Sequence, residues 1–199
     1  MTLCRLFLVP CLALLLTACD GGGAVKPQFK HTDITGAEYA KGFALVDHTG
    51  KPRTLADFKG KVVSIFFGFT FCPDACPTAL AEMREVVEKL GPDGKDVQVL
   101  FITVDPERDT QALLSAYVPA FHPSFIGLRG DVPTVTAVAK NFKVFFQKVP
   151  GKTAGSYTVE HTTASYVFDR AGKVRLYVRH GMLQDNLLHD IRLLLAEKP

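Results

Sequence analysis

The chain has 199 residues, of which 47% are hydrophobic and 22% are charged, so it fits one globular domain with a substantial apolar core. The formal net charge is only +3, and lysine and arginine form no block along the chain. Because nucleic-acid binding needs a concentrated basic surface, these features argue against nucleic acid as a partner.

The first residues predict export and membrane attachment. Arg5 precedes an apolar run at 6–16, which is too short to span a membrane and has the order of a secretory signal. The run ends in Leu-Thr-Ala-Cys, which resembles a bacterial lipobox. We therefore expect a signal peptide at 1–18 and a lipid on Cys19; ordinary cleavage with an unmodified Cys19 is the alternative. Asp20 resembles an inner-membrane retention signal, so the predicted location is the periplasmic side of the bacterial inner membrane, with a lipid anchor.

Five cysteines are present, and the predicted processing leaves two of them in the folded domain. Cys4 and Cys11 leave with the signal peptide, and Cys19 carries the lipid. Cys72 and Cys76 remain. In an oxidising compartment, an isolated pair of cysteines either forms a structural disulfide or takes part in chemistry.

Residues 19–40 are glycine-rich and then polar, which predicts a tether, and residues 41–197 carry the patterns of an α/β domain. The predicted elements are an edge hairpin with strands near 43–46 and 54–55, a strand buried on both faces at 61–69, a helix at 77–90, a second buried strand at 97–104, a helix opened by acidic residues at 105–118, a helix at 131–142, an extended piece at 144–146, a hairpin of strands at 162–169 and 173–178, and a closing helix at 187–195. This order, with a cysteine motif after the first core strand, predicts a thioredoxin-like fold. Such a fold is an α/β structure with a central mixed sheet flanked by helices, here with an N-terminal β-hairpin extension.

The stretch FTFCPDACPT at 69–78 places Cys72 and Cys76 four positions apart, where the first core strand gives way to a helix. Cysteines at i and i+4 near a helix start share one face, with Cα atoms about 6 Å apart. That distance allows a disulfide, and it equally allows two sulfurs to converge on one ion. The helix N-terminus favours the thiolate form, which nucleophilic attack and metal ligation both require. A structural disulfide, a redox pair and a metal site stay open on the spacing alone.

A third ligand would distinguish these alternatives, and six histidines are available. Four of them lie where a solvated or hydrogen-bonded imidazole is the ordinary role: His31 in the tether, His122 in a loop, His180 after the last strand and His189 in the closing helix. His48 lies in a predicted exposed turn. His161 instead comes just before an apolar strand in the second half of the sheet, and in a thioredoxin-like fold that loop lies against the cysteine turn. We therefore predict His161 as the third ligand.

Three motifs together resemble one known family. FCPDACP, FITVDPERDT and VEHTTASYVFD, in this order and spacing, are similar to the Sco/SenC family of copper-binding assembly proteins over roughly residues 35–195. The resemblance implies that Cys72 and Cys76 are the metal thiols and that His161 is the metal histidine. Glu160 stands where many members have aspartate, and it receives no metal role.

The VDPERD motif is a mark of the resemblance rather than a set of assigned ligands. Asp105, Arg108 and Asp109 are expected at a strand end and a helix start, where they can at most support the metal-binding residues.

The resemblance implies a copper metallochaperone rather than an enzyme, and no catalytic residue is assigned. Two thiolates and one imidazole suit Cu(I) and, with a further weak ligand, permit Cu(II), whereas structural zinc normally takes four protein ligands. The implied acceptor is the dinuclear copper centre in subunit II of cytochrome c oxidase. A second copper chaperone as donor and a thiol reductant are further expected partners. Cys72 and Cys76 must be reduced to bind copper, since a redox disulfide between them removes both ligands.

Three other functions share part of this pattern. A membrane-tethered thiol–disulfide reductase that keeps the oxidase cysteines reduced needs Cys72 and Cys76 but little from His161. A peroxidase of the peroxiredoxin kind shares the fold and has Thr70 near Cys72, but the proline of the usual P-x-x-x-T-x-x-C pattern is missing. A copper or redox sensor that signals through a partner is the third alternative.

Overall fold

The computed structural model describes residues 28–181 and 184–197. In these residues the elements are β1 (Thr32–Asp33), β2 (Ala44–Asp47), β3 (Pro52–Thr54), β4 (Val62–Gly68), α1 (Ala75–Lys89), β5 (Val97–Thr103), α2 (Gln111–Phe121), β6 (Ile126–Arg129), α3 (Val132–Asn141), β7 (Phe146–Pro150), β8 (Tyr157–His161), β9 (Ala164–Phe168), β10 (Val174–Arg179) and α4 (Gln184–Ala196). Short 3₁₀ helices at Leu55–Phe58 and Gly91–Asp96 follow β3 and α1.

Two strands without an exposed residue form the middle of the main sheet. β4 and β5 are buried along their whole length and pair in parallel, because the runs VVSIFFG and VQVLFIT are largely apolar on both faces. The strand order is β1-β10-β9-β4-β5-β6-β2-β3, with β4, β5 and β6 parallel and the other neighbours antiparallel. The segments that follow β4 and β5 therefore lie side by side at one edge of the sheet. β7 and β8 form a separate two-stranded sheet.

The predicted thioredoxin-like architecture is confirmed, with a mixed central sheet and flanking helices. β2 pairs with β3 as the expected N-terminal hairpin, and β9 pairs with β10 as the expected later hairpin. α1, α3 and α4 lie within a few residues of their predicted bounds. Apolar residues at helical or continuous spacing therefore located most of the core.

The sequence patterns did not predict three of the strands. β1 has only two residues, and β6 is the four-residue segment IGLR, which contains a glycine. β8 has the sequence YTVEH, whose polar residues give no strong strand signal. β7 begins at Phe146, so the extended piece expected at 144–146 is displaced towards the C-terminus.

The expected acidic first turn of the second helix is wrong. α2 begins at Gln111, and the Thr110 side chain caps it by accepting a hydrogen bond from the Leu113 amide at 3.2 Å. The acidic residues lie before the helix, in the connection from β5. Asp105 and Asp109 are fully buried there. Their carboxylates accept hydrogen bonds from other segments instead of the helix terminus.

The polar stretch predicted as a tether packs on the domain over its described part. β1 pairs with β10 through residues that the prediction placed in the tether. His31 is 7% exposed and Ala40 is 2% exposed, and Phe29 and Tyr39 pack against the hydrophobic core. The folded domain therefore begins before residue 41.

A buried carboxylate in α4 holds this N-terminal segment. Asp190 accepts hydrogen bonds from the backbone amides of Lys30 and His31 and from Nδ1 of His31, at 2.8–3.1 Å. Nδ1 of His189 lies 2.9 Å from the same carboxylate. Burial by itself raises the pKa of Asp190, but the hydrogen bonds from His189, Lys30 and His31 outweigh it and leave the pKa lowered. Hydrophobic patterning could not predict this part of the attachment, because backbone amides and one carboxylate make it.

The signal peptide at 1–18, the lipid site at Cys19 and the glycine-rich residues that follow lie outside the described residues. Among the residues that are described, none of the helices has the length and apolar character needed to cross a membrane.

Replacing Asp190 tests the attachment of the N-terminal segment. Asp190→Ala leaves buried donors unpaired and is expected to lower the free energy of unfolding by about 2–4 kcal/mol. Urea denaturation measures this loss, and limited proteolysis is expected to cut the released segment before β2.

The same carboxylate predicts a pH dependence. Because the folded-state pKa is lowered, the contribution of Asp190 is complete above the usual aspartate pKa of about 3.9 and is lost as the pH falls through the lowered value. Asp190→Asn, which cannot ionise, is expected to flatten the stability profile in this acidic range. Equal stability of the wild-type and alanine proteins at pH 7 would contradict the assignment.

Candidate metal centre

The two cysteines lie at the junction between β4 and α1. The Cys72 amide donates to the Phe69 carbonyl at 3.2 Å, and Cys72 precedes the helix. Cys76 lies in the first turn of α1, and its amide donates to Cys72 Sγ at 3.4 Å. The i and i+4 spacing therefore brings the thiols together as expected, although only one of them lies on the helix. Both are free thiols.

Gly68, the last residue of β4, leaves the space that the Cys76 sulfur occupies. A Cβ atom at position 68 would lie 2.9 Å from Cys76 Sγ and 2.7 Å from Cε2 of Phe101. Cys76 is consequently 0% exposed, whereas Cys72 is half-buried. The sulfur pair is thus closed on the side of the sheet and open on the side of Cys72.

His161 is the last residue of β8, and its ring faces the sulfurs. Its Nδ1 lies 3.0 Å from the Thr162 carbonyl oxygen, to which the Nδ1–H donates. This tautomer leaves the lone pair of Nε2, which lies 3.6 Å from Cys76 Sγ. The rings of Phe66 and Phe69 meet the imidazole edge-on, with centroid distances of 6.1 and 5.8 Å. The aromatic contacts and the hydrogen bond fix the direction in which Nε2 points.

The three predicted metal-binding side chains meet in space. Their sulfur and ring nitrogen atoms lie within 4.8 Å of one another, and no other group of three histidine, cysteine or acidic side chains in the described residues could share an ion in this way. Four other histidines have hydrogen-bond partners away from this centre: His31, His48, His122 and His189.

Burial shifts the pKa of the Cys76 thiol and the pKa of the His161 imidazole in opposite directions. Burial raises the pKa of the Cys76 thiol well above its usual range, so the expected thiolate is wrong for Cys76 in the metal-free protein. The helix N-terminus does not offset the loss of water around this sulfur. Burial lowers the pKa of His161, although the hydrogen bond to Thr162 opposes the shift. The imidazole is therefore neutral at pH 7 and ready to donate a lone pair, whereas Cys76 must first lose a proton.

Asp109 ties the cysteine turn to the end of β5. Its buried carboxylate accepts hydrogen bonds from the Thr70 hydroxyl at 2.6 Å, from the Thr70 amide at 3.1 Å and from the Thr103 hydroxyl at 2.6 Å. Burial raises the pKa of Asp109 in spite of these donors. The turn that carries Cys72 is therefore anchored two residues away from the sulfur.

Arg108 ties the same connection to the hairpin of β7 and β8. Its Nε donates to Asp105, and its Nη1 donates to the Tyr157 carbonyl at 2.8 Å. The Tyr157 hydroxyl donates to Asp105 at 2.8 Å, and the guanidinium lies 3.7 Å from the centre of the Tyr157 ring. Tyr157 begins the strand that His161 ends, so this contact positions the histidine strand.

The sequence analysis placed Asp105, Arg108 and Asp109 at the ends of elements. It did not predict their hydrogen bonds to Thr70 and Tyr157. Two acidic residues directly after a buried strand were the available signal, since a buried carboxylate needs donors nearby. Tyr157 carried no signal in the sequence, because its partner lies far away along the chain.

The structure is a thioredoxin-like domain in which two cysteines and one histidine could hold a metal ion. The family model described as SCO1/SenC matches residues 31–196. The chain belongs to the SCO1/SenC family.

Relatives and solved structures are similar over most of the domain. The chain is 38% identical to the mitochondrial SCO2 homolog of Mus musculus over 195 residues, which is 90% of this chain and 76% of the mouse protein. It is 40% identical to an SCO2-like protein of Rickettsia felis, over 72% of this chain and 69% of that protein. Among solved structures, ScoI of Bradyrhizobium japonicum with copper bound is similar, with a TM-score of 0.71. Its sequence is 40% identical to this chain, and the match covers 77% of this chain and 98% of that chain.

Gly68→Ala tests the space beneath Cys76. The added Cβ would meet the Cys76 sulfur and the Phe101 ring at less than 3.0 Å. We expect the free energy of unfolding to fall by roughly 1–3 kcal/mol, as for other overpacked cores. The displaced Cys76 thiol is expected to react faster with an aromatic disulfide reagent, followed by absorbance.

Gly127→Ala is the matched control, because Gly127 also lies in a strand but the atoms nearest to an added Cβ would be side-chain atoms of Val118 and Leu114, at 3.1 Å or more. This control is expected to leave the reactivity of the cysteines unchanged. Wild-type reactivity of Cys76 in Gly68→Ala would contradict the packing argument.

Proposed function

We propose that this chain is a copper metallochaperone that holds one copper ion through Cys72, Cys76 and His161. The observation that carries the proposal is the convergence of these three donor atoms within 4.8 Å, from two segments of the chain that are remote in sequence. Their types support copper in particular, since two sulfurs and one imidazole are soft ligands.

The incomplete ligand set suits a protein that gives up its ion. Three protein donors satisfy Cu(I), and a further weak ligand would accommodate Cu(II). A structural zinc site would need a fourth protein ligand. The open side next to Cys72 leaves room for the thiolates of an acceptor to exchange with the cysteines one at a time. Copper must also displace the Cys76 proton, so loading is favoured as the pH rises.

Solved relatives support copper as the cargo. ScoI of Bradyrhizobium japonicum, ScoI of Arabidopsis thaliana and yeast Sco1 each have a structure with copper bound. They are 40%, 31% and 32% identical to this chain.

The proposed acceptor is the dinuclear copper centre in subunit II of cytochrome c oxidase. The family resemblance implies this destination, and its cysteine and histidine ligands match the donor chemistry of the site described above. The proposed location is the periplasmic face of the inner membrane, where a lipid on Cys19 would keep the domain close to the oxidase. A copper donor and a thiol reductant complete the proposed set of partners.

Removing each ligand tests the copper site. The reduced protein is expected to bind one copper, and Cys72→Ala, Cys76→Ala and His161→Ala are each expected to weaken binding by about 100-fold or more, at least as much as losing a supporting residue of a metal site. Competition with a chelator of known affinity measures the change, and X-ray absorption identifies sulfur and nitrogen ligands.

His122→Ala is the matched control, since this imidazole hydrogen-bonds to Ser124 outside the centre. It is expected to bind copper as the wild-type protein does. An unchanged copper stoichiometry and absorption spectrum in His161→Ala would rule out the histidine ligand.

A second candidate function is a membrane-tethered thiol–disulfide reductase that keeps the oxidase cysteines reduced. The half-buried Cys72, whose sulfur accepts the Cys76 amide, has the access that an attacking thiol requires. Complementation of a deletion strain separates the two functions. Restoration of oxidase by His161→Ala would favour the reductase, whereas loss of oxidase in that variant supports copper delivery.

A further inference from the structure

The hairpin of β7 and β8 carries His161 at its base and forms a sheet of its own. His161 lies opposite Phe146 where the hairpin begins, and Tyr157 lies opposite Pro150 at the far end. In the described residues, neither strand pairs with the eight-stranded sheet. Contacts other than strand pairing must therefore fix where the hairpin, and with it His161, lies relative to the cysteines.

Backbone hydrogen bonds and core packing hold the base and the middle of this hairpin. The Thr162 amide donates to the Phe145 carbonyl at 2.9 Å, and the Phe145 amide donates to the Thr162 hydroxyl at 3.1 Å. Val159, in the middle of β8, is 5% exposed and belongs to the hydrophobic core. These contacts leave the position of the far end to be set by other residues.

The far end is attached to the connection between β5 and α2. The Tyr157 hydroxyl donates to the Asp105 carboxylate at 2.8 Å, and Arg108 donates to the Tyr157 carbonyl at 2.8 Å. On the opposite strand, Lys148 pairs with Glu107 of the same connection. Both strands of the hairpin are therefore attached to one short segment.

The two side-chain attachments of the hairpin differ in strength. The side chains of Lys148 and Glu107 are half-exposed, and exposed ion pairs contribute little to stability. Asp105 is 0% exposed, so the Tyr157 hydroxyl bonds to a carboxylate in the interior. A hydrogen bond to a charged group is stronger than one between neutral groups. Tyr157 therefore makes the stronger of the two attachments.

A small displacement of β8 is enough to affect a metal ligand on it. His161 is four residues after Tyr157 on the same strand, so a tilt of the far end moves the imidazole. The Cys76 sulfur is buried against Gly68 and has little room to follow. Metal–nitrogen bond lengths vary by only about 0.2 Å, so such a tilt weakens the bond to the imidazole.

We propose that Tyr157 is a positioning residue for the metal histidine: its hydrogen bond to Asp105 holds β8 at the angle that keeps His161 Nε2 directed at the cysteine sulfurs. This inference rests on the proposed copper site. It adds that the copper affinity depends on a hydroxyl group that is not itself a ligand.

Tyr157→Phe tests this role, because it removes the hydroxyl and keeps the ring beside the Arg108 guanidinium. The full chain is reduced and titrated with Cu(I) in competition with a chelator of known affinity. Copper binding is expected to weaken by about 10–100-fold, the usual cost of losing a residue that orients a metal ligand. In the His161→Ala background the same substitution is expected to change the affinity by less than about twofold, because no imidazole is then left to position.

Tyr166→Phe is the matched control. The Tyr166 hydroxyl is buried and donates to the Phe142 carbonyl at 2.6 Å, so this variant also loses one hydrogen bond of a tyrosine. It is expected to lower the free energy of unfolding and to leave the copper affinity unchanged.

Three outcomes overturn the proposal when the wild-type chain binds copper. The first is wild-type copper affinity in Tyr157→Phe. The second is equal weakening with and without His161, since Tyr157 would then act on the cysteines or on the whole fold. The third is equal weakening in Tyr166→Phe, since a general loss of stability would then explain the effect.

Failure of the wild-type chain to bind copper would contradict the proposed function, and the metal-free protein would then decide the positioning. The His161 Nδ1–H, which donates to the Thr162 carbonyl, is followed by nitrogen NMR of the reduced chain and identified by its absence in His161→Ala. A changed ring signal in Tyr157→Phe, with none in Tyr166→Phe, supports the proposal. An unchanged signal, or the same change in both variants, overturns it.

Discussion

One connection, between β5 and α2, anchors two segments that the antiparallel pairing of β4 with β9 brings to the same edge of the sheet. Asp109 in this connection anchors the cysteine turn through Thr70, and Arg108 with Asp105 anchors the histidine hairpin through Tyr157. Both aspartates are fully buried, so each must keep its donors or leave an unpaired charge in the interior. The hydrogen bonds to these carboxylates therefore attach the cysteine turn and the histidine hairpin to the same connection.

The His161 imidazole and the Cys76 thiol differ in how ready they are to bind a metal ion. His161 is neutral, with its Nδ1–H held by the Thr162 carbonyl, so its remaining lone pair is available from the start. Cys76 lies in a buried space next to Gly68, and burial raises the pKa of its thiol, so a metal ion would have to displace the thiol proton. A soft ion that bonds strongly to sulfur can displace that proton, whereas a weakly bound ion cannot. In the proposed copper site, burial of Cys76 would therefore favour ions that bond strongly to sulfur.

The N-terminal segment shows how a polar stretch becomes part of a fold. The Asp190 carboxylate on α4 accepts hydrogen bonds from the amides of Lys30 and His31, and β1 pairs with β10 at the edge of the sheet. With the lipid predicted on Cys19, residues 20–27 are the chain left between the anchor and the described domain. Fully extended, a segment of that length spans at most about 30 Å. The proposed anchor would therefore keep the start of the described domain within about 30 Å of the bilayer.

The sequence by itself determined the class of the fold, its central strands and three of its four helices, because long apolar runs and helical spacing depend on neighbours along the chain. It also selected Cys72, Cys76 and His161 as candidate metal ligands, and the structure brings these three side chains together. Only the tertiary structure decided that Cys76 is buried, which raises the pKa of its thiol, that Asp105 and Asp109 join two segments instead of opening a helix, and that residues 29–40 belong to the domain. These properties arise from hydrogen bonds and packing between residues that are remote in sequence, and local sequence patterns do not indicate which remote residues will be partners.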